Sequence, residues 1–231
     1  HLAATSFVVI GTLNSAFWIL VANSWLQTPL GAEMVGDIFE VTSWRDVILN
    51  PSMIYRYPHM IFASYISGML VVAGLAGWYL LKNRNRDFAI KTIRIAVTVL
   101  AILTPMQIFF GDAQGINVKE NQPAKLAAME GLWETGKGVP LVLFAIPDQK
   151  EEKNKFSIEI PKLSSLILTH SLDGEVQGLK DWKKDERPRV PIVFHSFRIM
   201  VGLGMIYLLV SWYGAFLITR SKMIHTKWFL R

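Results

Sequence analysis

The sequence predicts an all-α integral membrane protein: four transmembrane helices, an amphipathic surface helix and one large extracytoplasmic loop. Three observations carry this prediction. The 231 residues are 52% hydrophobic and only 18% charged, where a soluble domain carries about 25% charge. Four apolar runs reach about 18 residues or more, enough to cross about 30 Å of hydrocarbon. Eight Trp residues sit mostly near the ends of those runs, as membrane-interface belts do.

The net charge of +6 then reads as membrane topology, and no nucleic-acid partner is expected. The absence of cysteine excludes disulfides, thiolate metal sites and iron–sulfur clusters, and says nothing about compartment. The chain starts at His1, Thr5 is already inside an apolar run with no signal-peptide pattern, and the chain reads as a piece of a longer protein.

Span one runs from about Ala3 to Trp25 and holds Asn14, Ser15 and Asn23. Polar side chains at that depth face protein or water, and Gly11, Ser15 and Ala22 make a small-residue stripe for helix packing. Pro29 and Gly31 then break the helix. In the next stretch Ile38, Val41, Trp44 and Ile48 recur at spacings of three and four among charged residues, which predicts the surface helix over 33–49. Span two covers about Pro51 to Leu81, with a kink at Pro58. His59 stands at the outer edge of its apolar run. A short basic loop leads to span three, Ile93 to Phe110. This span is expected to end at Gly111-Asp112, cross a polar turn and restart as a short helix carrying Lys125 and Glu130. Within the insert, VPLVLFAIP (139–147) is apolar, FSIEIP (156–161) has the pattern of a short strand, SSLILTH (164–170) that of a short helix, and the polar run 173–188 is expected to be mobile. Span four runs from Pro191 to Leu217, followed by a basic tail.

Three regions follow: 1–110, holding spans one to three and the surface helix; the polar insert 111–190; and 191–231, holding span four and the tail. The loop 82–94 has five Lys/Arg and the tail 220–231 has four, against two in 26–58. The positive-inside rule makes the first two cytoplasmic, so 26–58 and the insert lie outside.

Two groups of residues can carry chemistry. His59 and Met200 fall near the outer ends of their helices at similar depth, and an imidazole with a thioether is an axial pair for low-spin haem. Gly204 and Ala63 lie one turn below Met200 and His59, which leaves room for a ring edge. Arg198 lies about 200° around the helix from Met200, suited to a propionate or a neighbouring carboxylate. His195 competes with Met200 as ligand. A packing role is the ordinary one for such residues, since an edge histidine or a methionine in a span is usually structural. Lys125 and Glu130, five apart, point about 140° away from each other and cannot stack as a pair. Charge beside apolar surface just outside a membrane suits a lipid-soluble ligand with a polar head, although a solvated amphipathic helix shows the same pattern. His1, His170 and His225 form no constellation, and no phosphate loop, catalytic triad or HExxH motif is present.

Several stretches together resemble the large haem-bearing subunit of the cytochrome bd-type quinol oxidases. They are NSAFWILVANSWLQTPLGAEM (14–34), NPSMIYRYPH (50–59), GDAQG (111–115), KLAAMEGLWET (125–135), FAIPDQKEEKNKFSIEIP (144–161) and FRIM (197–200). They run nearly end to end in the family's order, and ANSWLQ and KLAAMEGLWET are the most specific.

The resemblance implies a membrane enzyme that oxidises ubiquinol or menaquinol at the outer face of a bacterial or archaeal plasma membrane and reduces O₂. It also implies a second large subunit and a small single-helix subunit as partners. His59 and Met200 match the ligands of a low-spin haem b, and Arg198 the arginine beside it. Lys125 and Glu130 match the quinol-loop pair, and Ser15 a serine on a proton route. The high-spin haem b and haem d belong to segments outside this chain, and the short insert resembles the branch with an abbreviated quinol loop. His195, beside FRIM, departs from the family pattern. Two other readings are a bis-histidine cytochrome b using His59 and His195, relaying electrons without oxygen reduction, and a transporter subunit lined by Asn14, Ser15 and Asn23. A transporter is expected to show paired broken helices in two matching halves, and no such symmetry is seen.

Overall fold

The computed structural model describes residues 1–223 and 226–230; His225 and Arg231 of the basic tail lie outside them. The chain is mostly helical. Four helices among the described residues are long and apolar enough to cross a membrane, and they contain α1 (Leu2–Trp25), α3 (Met53–Leu81), α4 (Arg86–Asn121) and α7 (Val190–Thr219). The chain forms two compact units. One is His1–Pro58 with Gly111–Arg198, the other His59–Phe110 with Ile199–Arg231.

In the first unit, the surface helix expected over 33–49 is replaced by a β-hairpin, β1 (Ala32–Val35) with β2 (Ile38–Val41), and a five-residue helix α2 (Trp44–Ile48). The reason is local. Gly36 takes φ +64° at the first position of the two-residue turn Gly36-Asp37, the place a primed turn reserves for glycine. Val35, Ile38, Phe39 and Val41 are β-branched or aromatic and fit extended backbone. Gly31, at φ +73°, could not carry a side chain, because a Cβ there would stand 2.5 Å from the Ser43 carbonyl oxygen.

A buried polar network ties the turn after α1 to the start of α3 and to the last turns of α4. Thr28 Oγ1 donates to Ser52 Oγ (3.0 Å), which donates to Asn117 Oδ1 (3.0 Å), and Asn117 Nδ2 donates to the Pro51 carbonyl (3.2 Å). Each buried polar group thereby finds a partner.

The expected turn at Gly111-Asp112 is absent: α4 runs on through GDAQG to Asn121. The break comes at Gln122, at φ −142°, because the following Pro123 disfavours helical backbone before it. Pro123 then occupies the first turn of α5 (Pro123–Glu130), where its missing N–H costs nothing. Beyond α5, β3 (Gly136–Lys137) pairs with β6 (Glu175–Val176), and β4 (Leu141–Asp148) with β5 (Lys153–Ile160); α6 is Leu163–Thr169. FSIEIP thus lies largely in a strand and SSLILTH in a helix, as their patterns suggest. The run 173–188, expected to be mobile from its composition, takes regular backbone in part. It holds β6 and a 3₁₀ turn at Leu179–Asp181. Leu179 and Lys180 N–H donate to the carbonyls of Leu132 and Trp133, and Val176 and Leu179 are buried. Two apolar side chains in a polar run suffice to dock it.

In the second unit the remainders of α3, α4 and α7 enclose an apolar cluster that includes Ala76, Ile93, Val97 and Leu217. Pro105, inside α4, cannot donate to the Ala101 carbonyl. Trp212 Nε1 takes that acceptor at 3.0 Å, and one turn away the Thr104 and Ser211 hydroxyls meet at 3.0 Å.

Candidate functional site

The first unit places Lys125 and Glu130 at the two ends of α5, in separate clusters. Glu130 is buried, and its Oε2 accepts from Arg198 Nη2 at 2.9 Å and from Ser164 Oγ at 3.3 Å. Arg198 also donates through Nε to the Val142 carbonyl at 2.6 Å and lies over the Phe194 ring. The Glu130 carboxylate is one of the two kinds of partner foreseen for Arg198. Glu130 is held in place by the left-handed cap at Gly131 (φ +70°), where a Cβ would press on the Phe194 ring at 3.1 Å. Asn154 locks the same corner, donating to the Gly131 carbonyl and accepting from Trp133 Nε1.

Lys125 turns the other way. Its Nζ donates to Gln27 Oε1 (3.2 Å) and Gln122 Oε1 (3.1 Å), and Gln122 Nε2 donates in turn to the Gln27 carbonyl (3.0 Å). Burial pushes the ammonium below the usual lysine range, and the positive charge of Arg56 pushes the same way. Arg56 reaches α1 one turn earlier, donating from Nη1 to Asn23 Oδ1 at 2.7 Å.

In the second unit His59 Nε2 lies 3.0 Å from Gln107 Nε2, while His59 Nδ1 and Gln107 Oε1 are buried without partners among the described residues. Met200 is half exposed, and the space beside Gly204 is open, a Cβ there meeting nothing within 4 Å. His195 belongs to the first unit and stands edge-on to Phe194; Ser15 is exposed on α1. Among the described residues no group of three His, Cys, Asp or Glu is arranged around a metal ion.

The sequence profile of the cytochrome bd terminal oxidase subunit I family matches residues 1–231. The chain belongs to this family. It is 33% identical over 242 residues to the cytochrome bd ubiquinol oxidase subunit 1 of Bacillus subtilis (strain 168), an alignment covering all of this chain and 52% of that protein. It is 38% identical over 195 residues to the cytochrome bd-II ubiquinol oxidase subunit 1 of Escherichia coli (strain K12), covering 82% of this chain and 38% of that one. Its fold is similar to that of the bd oxidase from Geobacillus thermodenitrificans, with a TM-score of 0.88, 30% identity, and coverage of 96% of this chain and 51% of the other. The chain therefore spans about half the length, or less, of the relatives it matches.

The family is named for cytochromes, and the residues of the second unit bear on whether this chain fits a haem. A metal-bound imidazole offers one nitrogen to iron and the other to a hydrogen-bonding partner. His59 has this division, with one nitrogen on Gln107 and the other buried and unpartnered. With a half-exposed thioether and open space at Gly204 in the same unit, the residues fit a haem. Gln107, Gln27 and Arg56 were not singled out from the sequence. The available signals were a lone glutamine deep in an apolar run and the four-residue spacing of Asn23 and Gln27.

Proposed function

We propose that this chain is the quinol-oxidising, low-spin-haem-bearing part of subunit I of a terminal quinol oxidase. The observation that carries the reading is the arrangement of α5. Its two charged residues are each held by a dedicated partner set, Lys125 by amides and Glu130 by a guanidinium and a hydroxyl. A solvated amphipathic helix would instead leave both in water.

On this reading α5 in the first unit receives the quinol head, with Lys125 at one end and Glu130 at the other. Lys125 donates to a quinol oxygen. Both contacts of Glu130 fall on Oε2, so Oε1 is the oxygen that accepts a proton. His59 and Met200 hold the haem, which when bound supplies one-electron acceptance, with the thioether raising its reduction potential. Arg198 anchors Glu130, and through it α5, to the first turns of α7. Ser15 lies on the proton route toward the oxygen-reducing haems. The insert 111–190 faces the outside of a bacterial or archaeal plasma membrane, so protons leave there. The complex contains a second large subunit and a small single-helix subunit, and it uses ubiquinol or menaquinol.

The test is quinol oxidation and the haem spectrum of the purified complex. Lys125→Ala and Glu130→Ala should each lower quinol oxidation at least tenfold with the haem content intact. Full turnover in both variants would overturn the assignment.

A further inference from the structure

Arg56 and Lys125 are carried by the same face of α1. Asn23 and Gln27 lie four apart, and the helix turn persists between them: Leu26 keeps helical angles and Gln27 N–H donates to the Ser24 carbonyl. Residues at that spacing are neighbours on one side of a helix. Arg56 is bonded to the first and Lys125 to the second. All the acceptors that hold them are neutral amide oxygens, and no ion pair among the described residues includes either cation. Arg56 Nε is buried and finds no acceptor among the described residues. Two half-buried cations on adjacent turns with no carboxylate between them form an incomplete site, because partly desolvated charge is ordinarily paired. Asn23 is exposed, so the site is open on one edge.

We propose that Arg56 and Lys125 form a two-cation site that takes the anionic oxygen of a deprotonated quinol head. This rests on the reading of α5 given above and extends it to a second residue that contacts the substrate. The chemistry is a proton dissociation. The quinol O–H bond breaks, its electron pair stays on oxygen, and the proton passes to water at the open Asn23 edge, leaving the monoanion. No electron moves in this step. Opposite charge favours the ionised form of a neighbouring group, and a guanidinium adds a charge-assisted hydrogen bond to the oxygen. The shift of Lys125 agrees with the geometry: its ammonium is burdened by burial and by Arg56, and a bound anion relieves both. A lipid phosphate carries the same anionic oxygen, and the experiment separates the two.

The experiment measures kcat/KM of the intact complex for two quinols, an alkoxy-substituted one and a halogenated one whose hydroxyl is more acidic, in wild type, Arg56→Gln and Arg56→Lys. Yield of the complex and haem content serve as controls for folding. Arg56→Gln should lose about ten- to hundredfold with the alkoxy quinol and much less with the halogenated one, which ionises without help. Arg56→Lys should recover most of the loss. An equal loss for both quinols makes Arg56 a structural residue and overturns the proposal. So does a loss restored by added anionic phospholipid, which assigns the site to a lipid phosphate. Wild-type rates in Arg56→Gln overturn it while leaving the role of Lys125 standing. A wild-type complex that oxidises neither quinol overturns the parent reading instead.

Discussion

Arg198 Nη2 lies 2.9 Å from Glu130 Oε2 with both side chains largely out of water. The pair joins residues 68 positions apart and ties α5 to the start of α7. Removing one partner strands the other as an unpaired buried charge, which costs about 3–5 kcal/mol. Glu130→Ala is therefore expected to lower the thermal stability of the complex strongly. The double variant Glu130→Ala with Arg198→Ala should be less destabilised than the sum of the singles. Additive losses in that cycle would mean that the pair is not formed in the complex.

The haem reading makes a sharper distinction. Met200 and His59 share the second unit, and His195 lies in the first, edge-on to Phe194. In a reduced-minus-oxidised visible spectrum, Met200→Leu should abolish or shift the low-spin haem band and leave the other haem signals in place. His195→Ala should leave that band unchanged. The reverse result would make His195 the sixth ligand.

Gln107 is expected to act on the haem through His59. A hydrogen bond from the second ring nitrogen orients a metal-bound imidazole and raises its basicity, which favours oxidised iron. Gln107→Leu should therefore raise the midpoint potential of the low-spin haem while the haem remains bound, measured by spectroelectrochemical titration. An unchanged potential would reduce Gln107 to a packing residue.

The β4–β5 hairpin should be sensitive to acid. Asp148 accepts from Lys155 Nζ at 2.6 Å and from the backbone N–H groups of Glu151 and Lys150. These bonds, the lysine first, hold its carboxyl down at about 2, against an ordinary value of 3.8. Because the folded value is the lower one, the stabilisation is complete above about pH 4 and is lost as pH falls toward 2. Hydrogen exchange in 148–155 should accelerate over that window in wild type, and an Asp148→Asn variant should show a weaker dependence.

The spans were legible because nothing competes with a long apolar run: its backbone must be helical wherever the surrounding medium offers no hydrogen bonds. The elements outside them were not. Residues 33–49 show apolar spacings of three and four, yet Gly36 at φ +64° turns the chain into a hairpin. Over so few residues the helical and extended periods cannot be told apart. Gly111 and Gly115 suggest a helix end, but α4 runs through them, since glycine only weakens a helix while Pro123 breaks it. The polar run 173–188 looked free because its composition is polar, although Leu179 is fully buried.

The sequence by itself determined the membrane class, the number of spans and the residue types available for chemistry, because hydrophobic length and the chain's own motifs are local properties. It also showed that Lys125 and Glu130 diverge, which five residues of helix dictate. Only the tertiary structure decided what each of them meets. Gln27 is 98 positions from Lys125 and Arg198 is 68 from Glu130. The pairing of buried charge across such separations depends on how distant elements pack, and no local pattern carries that information.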